Sequence, residues 1–141
     1  MGISKGSGGW DGAVKDGKGF MKPEHGSALP FSAASRFEGQ PQSNPEELIG
    51  AALCGCFSMA LTVNLAAAGH TPTSVRTSAD VRLEKQAAGF AITTIALTTE
   101  AVVPGVDAAK FKEIAEATKK SCPVAKALAG VAITLGASLK A

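Results

Sequence analysis

Residues 44 to 72 read NPEELIGAALCGCFSMALTVNLAAAGHTP, and the fold turns on this stretch. Asn44 is a good N-cap, and Pro45 suits the first helical position because it has no N–H to leave unpaired. Glu46 and Glu47 fall in the first turn, where carboxylates meet the positive end of the helix dipole. Glu47 stands three residues after Asn44, the spacing of a capping box. The pattern predicts a helix running to Ala68, with Gly69 just past its end and Pro72 beyond. From Leu48 to Ala68 there is no charged residue across 21 positions, which is the length of a bilayer span. Gly50, Gly55, Ser58, Thr62 and Asn64 dilute its hydrophobicity, and neither end carries a Lys or Arg cluster. The stretch therefore reads as a helix that is apolar all round and buried at the centre of a globular protein, with no membrane span. Burying it fully in a chain of 141 residues calls for a second subunit over part of it, so a homodimer is expected.

Working outward, residues 8 to 21 read as a hairpin. Trp10 and Val14 precede Lys15-Asp16-Gly17-Lys18-Gly19, Phe20 and Met21 follow it, and Asp-Gly is a primed-turn signal. Pro23 to Pro30 reads as loop, Phe31 to Glu38 as a third strand, and Gly39 to Ser43 as turn. After the helix, Val75, Thr77, Ala79, Val81 and Leu83 alternate with Arg76, Ser78, Asp80, Arg82 and Glu84, a strand with one solvated face. Ala87-Ala88-Gly89 turns the chain into a long strand from Phe90 to Val103. Asp107 caps a second helix whose buried stripe is Phe111, Ile114, Ala115 and Thr118. Ser121-Cys122-Pro123 breaks that helix, a short one follows to Leu128, and Val131 to Leu139 is a last strand. The order βββ-α-ββ-α-(α)-β lacks repeated βαβ units, which indicates an α+β fold with mainly antiparallel sheet in a single domain over residues 1–141.

Composition excludes several function classes. With 45% hydrophobic and 18% charged residues the chain is not disordered. A net charge of +2, 5% aromatic residues and no Tyr give no nucleic-acid footprint. The densest basic patch, Lys110, Lys112, Lys119, Lys120 and Lys126, is interleaved with Glu113 and Glu116. The first residues lack the apolar core of a secretory signal, and Gly6 stands where a myristoylation pattern wants Ser or Thr. Three cysteines are an odd number and too few for a disulfide scaffold, which fits a reducing compartment, here the cytoplasm.

In such a compartment a cysteine is either buried and inert or chemically active. Cys54 and Cys56 lie two apart on the helix, about 200° around its axis, so they cannot pair there. His25 and His70 have no ligand spacing to them, and no metal site is expected. Cys122 precedes Pro123 at a helix start. It is either a thiolate favoured by the helix N-terminus or a residue capping a turn, and the local sequence fits both. Arg36 lies in a mostly uncharged segment shortly before the helix. It is either a surface charge or a guanidinium that steadies a thiolate and is itself held by a carboxylate, with Glu46 and Glu47 nearby in sequence.

Beyond these single residues, a long run of motifs carries a family pattern. They are Arg36-Phe37-Glu38-Gly39, Asn44-Pro45-Glu46-Glu47-Leu48-Ile49-Gly50-Ala51-Ala52, Cys56-Phe57-Ser58-Met59-Ala60-Leu61 and Gly69-His70-Thr71-Pro72-Thr73-Ser74. Gly89-Phe90-Ala91-Ile92-Thr93, Val103-Pro104-Gly105-Val106-Asp107 and Cys122-Pro123-Val124 complete the set. The chain resembles the OsmC branch of the OsmC/Ohr family, the thiol-dependent organic hydroperoxide reductases, over nearly its whole length. The resemblance implies an intertwined α+β homodimer in which sheets from both subunits wrap two central helices. It implies that Cys56 is the peroxidatic cysteine and Cys122 the resolving one, that Arg36 steadies the Cys56 thiolate, and that Glu46 orients Arg36. It also implies organic hydroperoxide as substrate and an external dithiol as reductant, with lipoylated protein the favoured one and no resident cofactor. Cys56 lies beyond reach of the helix-end dipole and needs a neighbouring cation to become nucleophilic. The apolar surroundings of Cys56, Phe57 and Met59 would suit an organic tail. Local sequence ranks Cys122 as the more acidic thiol, against the order the resemblance implies. The family pattern needs no cysteine at Cys54, which reads as packing. The competing function is a stress-induced binding or structural protein with little turnover, but such a module would need none of Cys56, Cys122, Arg36 and Glu46. A hydrolase built on Cys122 lacks a placed histidine base.

Overall fold

The computed structural model describes residues 2–140. They gather into two compact units, one ending at Leu48 and one starting at Ile49. The first unit opens with an antiparallel sheet in the order β1 (Gly6–Asp11), β2 (Lys18–Pro23), β3 (Leu29–Phe31). Its register sets Trp10 opposite Gly19, and Gly19 opposite Phe31. A Cβ on Gly19 would run into the Phe31 ring and come within 2.7 Å of Trp10 Cε3. Without it the two rings meet at 5.5 Å between centroids, tilted by 59°, a favoured aromatic arrangement. The expected hairpin is present, but Asp16-Gly17 is not a two-residue turn. Residues 12–17 form a longer loop in which Gly12 takes the positive φ of 90°. There Ala13 O accepts from both Gly17 N–H and Trp10 Nε1.

The segment Phe31 to Glu38, expected as one strand, is divided. β3 ends at Phe31, and a short helix, α1 (Ala33–Phe37), follows. The two serines cause the switch. Ser32 Oγ accepts from Ser35 N–H and Ser35 Oγ accepts from Ser32 N–H. This reciprocal cap satisfies amides that a strand would leave to a neighbour, and Ala33 and Ala34 favour the helix between.

The long helix α2 (Pro45–Ala67) begins before the boundary at Leu48 and continues as the first element of the second unit. Asn44 Oδ1 accepts from Glu47 N–H at 2.9 Å, the expected N-cap bond. Gly69 takes the expected positive φ beyond the helix. After α2 come β4 (Ser74–Gln86), β5 (Gly89–Val102), α3 (Ala108–Ser121), α4 (Pro123–Ala127) and β6 (Ala132–Leu139). β4 and β5 pair antiparallel with an irregularity at Arg82/Leu83, whereas β6 lies parallel to β5. The parallel edge departs from a purely antiparallel reading. It arises because α3 and α4 form a crossover long enough to return the chain to the starting end of the sheet. The α+β class stands.

The core of this unit lies between α2 and one face of the sheet. Leu53, Phe57, Leu61 and Leu65 recur every four residues and are fully buried. They join Ile95, Leu97 and Ala101 of β5 and Phe111, Ile114 and Ala115 of α3. The alternation of β4 is as read, with Arg76, Ser78, Asp80, Arg82 and Glu84 exposed. A polar rung crosses the interface. Ser58 Oγ bonds Thr77 Oγ1 at 2.7 Å, and Thr77 Oγ1 bonds the fully buried Thr99 Oγ1 at 3.0 Å. By length and composition α2, with mean hydropathy 1.8, would suffice to cross a membrane. Here its leucine row is spent on the sheet.

The sequence expected α2 to be buried all round, and in the single chain it is not. Ala51, Ala52, Gly55, Met59 and Val63 are exposed, Met59 to 72% and Val63 to 57%. Replacing a residue of the buried row should show which face carries the stability. Leu61→Ala should cost about 2–5 kcal/mol, read as a lowered urea midpoint at unchanged slope. A loss below about 1 kcal/mol would mean that this row is not the core.

Candidate active site

The described residues hold two arrangements that could carry chemistry. The first is an ion pair in the first unit. Ser35, 4% exposed, accepts and donates around the joint after α1: its Oγ donates to Ser43 O at 3.0 Å, and its own carbonyl accepts from Asn44 Nδ2 at 3.2 Å. The turn of residues 39–43 is thereby folded back, and Arg36 in the last turn of α1 reaches Glu46 in the first turn of α2. Arg36 Nε lies 2.9 Å and Nη2 2.8 Å from Glu46 Oε1. Both guanidinium nitrogens therefore close on one carboxylate oxygen rather than spanning both. The Glu46 side chain is 7% exposed and that of Arg36 is 35% exposed. A carboxylate so buried needs its partner, since removing one member of such a pair strands the other's charge. Of the two candidate glutamates, Glu46 therefore holds Arg36, while Glu47 is exposed. The Phe37 ring sits 5.5 Å from Arg36 Cζ and adds a cation–π contact.

The second arrangement is a cysteine pair in the second unit. Cys122 Sγ donates to Cys56 Sγ at 3.2 Å, across 66 residues of chain. A disulfide is roughly 2.05 Å, so the two sulfurs are about 1 Å from bonding. Cys122 occupies the joint between α3 and α4, where Pro123 prevents one continuous helix. Its backbone, at φ −59° and ψ 123°, leaves the helical region there. Its N–H donates to Thr118 O at 2.9 Å, and its carbonyl accepts from Lys126 N–H at 2.9 Å. Cys122 is fully buried, and burial pushes its thiol above the ordinary value of 9.0. The amides of Ala125 and Val124 pull it down, and the contact with Cys56 pushes it up further. Local sequence expects a helix start to favour the Cys122 thiolate; the amides of α4 do act in that direction, but burial acts more strongly the other way. A helix of five residues offers little dipole, and desolvation of the thiolate outweighs it.

The remaining candidates sort out by burial. Cys54 is half-buried against the core, and burial raises its thiol too. Phe57, expected beside Cys56 as part of an apolar surface, is fully buried in the core and is not exposed to a ligand. The residues that share the helical face of Cys56 are instead Ala52, Met59 and Val63, at offsets of four, three and seven. Among the described residues no three His, Cys, Asp or Glu side chains gather as a metal-ligand cluster. Sequence reasoning missed Thr118 as anything but a member of the buried stripe. The sign was a hydroxyl among otherwise apolar stripe positions.

Residues 38–136 match the family model for OsmC-like proteins. Peroxiredoxin OsmC of Escherichia coli (strain K12) is 51% identical over 138 residues, covering 96% of each chain. The chain belongs to the OsmC family. The matched span takes in Glu46, Cys56 and Cys122 and starts two residues after Arg36. Among solved structures, the organic hydroperoxide resistance protein OhrB of Bacillus subtilis matches with a TM-score of 0.74 and 26% identity over 98% of both chains. An organic hydroperoxide resistance protein from Elizabethkingia anophelis, with bound thiocyanate, shares the fold with a TM-score of 0.77 at 21% identity over 99% of both chains. The family fold thus extends over both units of the chain.

The raised thiol of Cys122 has a direct consequence for stability. The folded state holds that proton more tightly than the unfolded chain does. The reduced protein therefore keeps this contribution below pH 9.0 and loses it as the pH rises above that value. In excess reductant, the urea midpoint of the wild type should fall more steeply between pH 8 and 10.5 than that of Cys122→Ala. Parallel profiles would remove the desolvated thiol from the account.

Proposed function

We propose that the chain is a cysteine-based peroxidase that reduces organic hydroperoxides to alcohols, as a single OsmC-like domain over residues 1–141. The observation that carries this reading is the contact of the Cys56 and Cys122 thiols at 3.2 Å. A protein that only binds or scaffolds has no use for two thiols held that close. The identity to a peroxiredoxin and the likeness to hydroperoxide resistance proteins support it.

In the proposed cycle the Cys56 thiolate attacks the terminal oxygen of ROOH. The O–O bond breaks, the alkoxide leaves and takes a proton as ROH, and Cys56 becomes a sulfenic acid. The Cys122 sulfur then attacks the Cys56 sulfur. The sulfenic hydroxyl departs as water with the Cys122 proton, and a disulfide forms. An external dithiol restores both thiols by exchange and leaves as its own disulfide. Lipoylated protein is the reductant we favour, and no resident cofactor takes part. Cys122 suits the second role because its sulfur lies 3.2 Å from that of Cys56, where the sulfenic acid forms. Arg36 is assigned to steadying the Cys56 thiolate, and Glu46 to orienting Arg36. The one-oxygen clasp and the burial of Glu46 support the second assignment, since they fix the guanidinium.

The proposal extends to the assembly and the compartment. The exposed apolar face of Ala51, Ala52, Gly55, Met59 and Val63 supports a homodimer in which a second copy covers α2. The same face, which carries Cys56, suits the apolar tail of a hydroperoxide better than hydrogen peroxide. A dithiol that must be kept reduced between turnovers favours the cytoplasm.

Dithiol-dependent consumption of cumene hydroperoxide tests the chemistry directly. It should exceed consumption of hydrogen peroxide, vanish in Cys56→Ser, and fall about 100-fold in Arg36→Ala, the scale on which one stabilising charge acts. Full activity in Cys56→Ser would reassign the nucleophile. Sedimentation at micromolar concentration should give a dimer that Val63→Asp splits. A stable wild-type monomer would refute the assembly.

A further inference from the structure

We propose that Asn64 and Thr118 form a hydrogen-bonded clamp that positions Cys122 for its reaction with oxidised Cys56; this rests on the peroxidase reading above. Cys122 needs such a device because it stands on a joint. Helix continuity fixes a residue inside α3, but at Cys122 the backbone has left the helix and α4 has yet to begin. The placement of its sulfur therefore depends on what anchors the end of α3.

That anchor is Thr118. Its Oγ1 accepts from Asn64 Nδ2 at 2.8 Å and donates to Ile114 O at 2.8 Å. Its carbonyl accepts from Cys122 N–H at 2.9 Å and from Ser121 Oγ at 3.4 Å. One residue thus joins the helix that carries Cys56 to the backbone of Cys122. Thr118 is fully buried in a stripe otherwise made of Phe111, Ile114 and Ala115. Asn64 follows Cys56 by eight residues along α2.

Stability alone does not account for this pair. The hydrogen bond between the half-buried Asn64 and the buried Thr118 nets only about 1 kcal/mol, and two apolar side chains of the same shape would do nearly as well. What the hydrogen bond supplies is direction. Apolar packing tolerates a slide of one helix along another, whereas a 2.8 Å bond between two short side chains fixes their register. Register matters because the sulfenic acid on Cys56 has two fates. It condenses with Cys122, or a second hydroperoxide oxidises it to the sulfinic acid, with ROH leaving, from which the thiol is not recovered by dithiols. A misplacement of about 1 Å can cost 100-fold in rate. A loosened clamp should therefore shift the partition toward sulfinic acid.

The test uses Thr118→Val, which keeps the shape and removes the hydroxyl, Thr118→Ser, which restores it, and Asn64→Leu. After a fixed excess of cumene hydroperoxide, mass spectrometry reads the ratio of Cys56–Cys122 disulfide to Cys56 sulfinic acid. Thr118→Val and Asn64→Leu should each lower this ratio about tenfold. The double variant should be no worse than either single one, and Thr118→Ser should recover most of the wild-type ratio. A wild-type ratio in Thr118→Val, or a Thr118→Ser protein as impaired as Thr118→Val, would overturn the clamp. Disulfide formation driven by diamide, which involves no peroxide, should slow in the same variants and in the same order. That arm separates the two claims. If wild-type Cys56 does not react with hydroperoxide yet the diamide series holds, the peroxidase reading falls and the positioning stands. An unchanged diamide series removes the positioning whatever the peroxide does.

Discussion

The packing of one helical row, Leu53, Phe57, Leu61 and Leu65, against the inner face of the β4–β5 sheet is the interaction on which the second unit depends. Four large side chains at a spacing of four residues form a nearly straight ridge, and only a sheet or another helix can cover it without leaving voids. Once that ridge is seated, the rotation of α2 is set. Cys56, one residue before Phe57 in sequence, is turned away from the centre of the core and toward Cys122. Met59 and Val63 are turned outward. A helix uncharged over 21 positions thus divides into a face that makes the core and a face that the single chain leaves uncovered.

The two candidate arrangements handle charge in opposite ways. Glu46 is buried as a carboxylate and is tolerable there because Arg36 closes on it through two nitrogens. Cys122 is buried as a thiol, and burial raises it above its ordinary value. Desolvation, which penalises any unpaired buried charge, is the main cause of the raised Cys122 thiol. Beside the cysteines, the buried Thr118 and the half-buried Asn64 show a third use of polarity, in which neither member is charged and the two bond each other.

Much of this was legible in the chain because the signals are local. The cap at Asn44, the alternation of β4, the stripe of α3 and the break at Pro123 each act within a few residues, and the structure has all four. Where local signals competed, the reading failed. Phe31 to Glu38 has strand-forming ends, yet the Ser32–Ser35 reciprocal cap won and made a helix of its middle. Asp16-Gly17 carries a turn signal, but Gly12 supplied the conformation that turns the hairpin. At Cys122 a dipole argument met a burial that no local window reports.

The sequence by itself determined the α+β class and the helical span of α2, and its motifs carried the resemblance to one family. Residue type, periodicity and motif order are properties of the chain, and they survive without coordinates. Only the tertiary structure decided that Glu46 rather than Glu47 holds Arg36, that Cys56 and Cys122 meet at 3.2 Å, and that Thr118 ties the second thiol to α2. It also decided which face of α2 is buried and which side of the helix-dipole argument prevailed at Cys122. These outcomes depend on distance and desolvation between residues far apart in sequence, and such terms take their values only when the chain has packed.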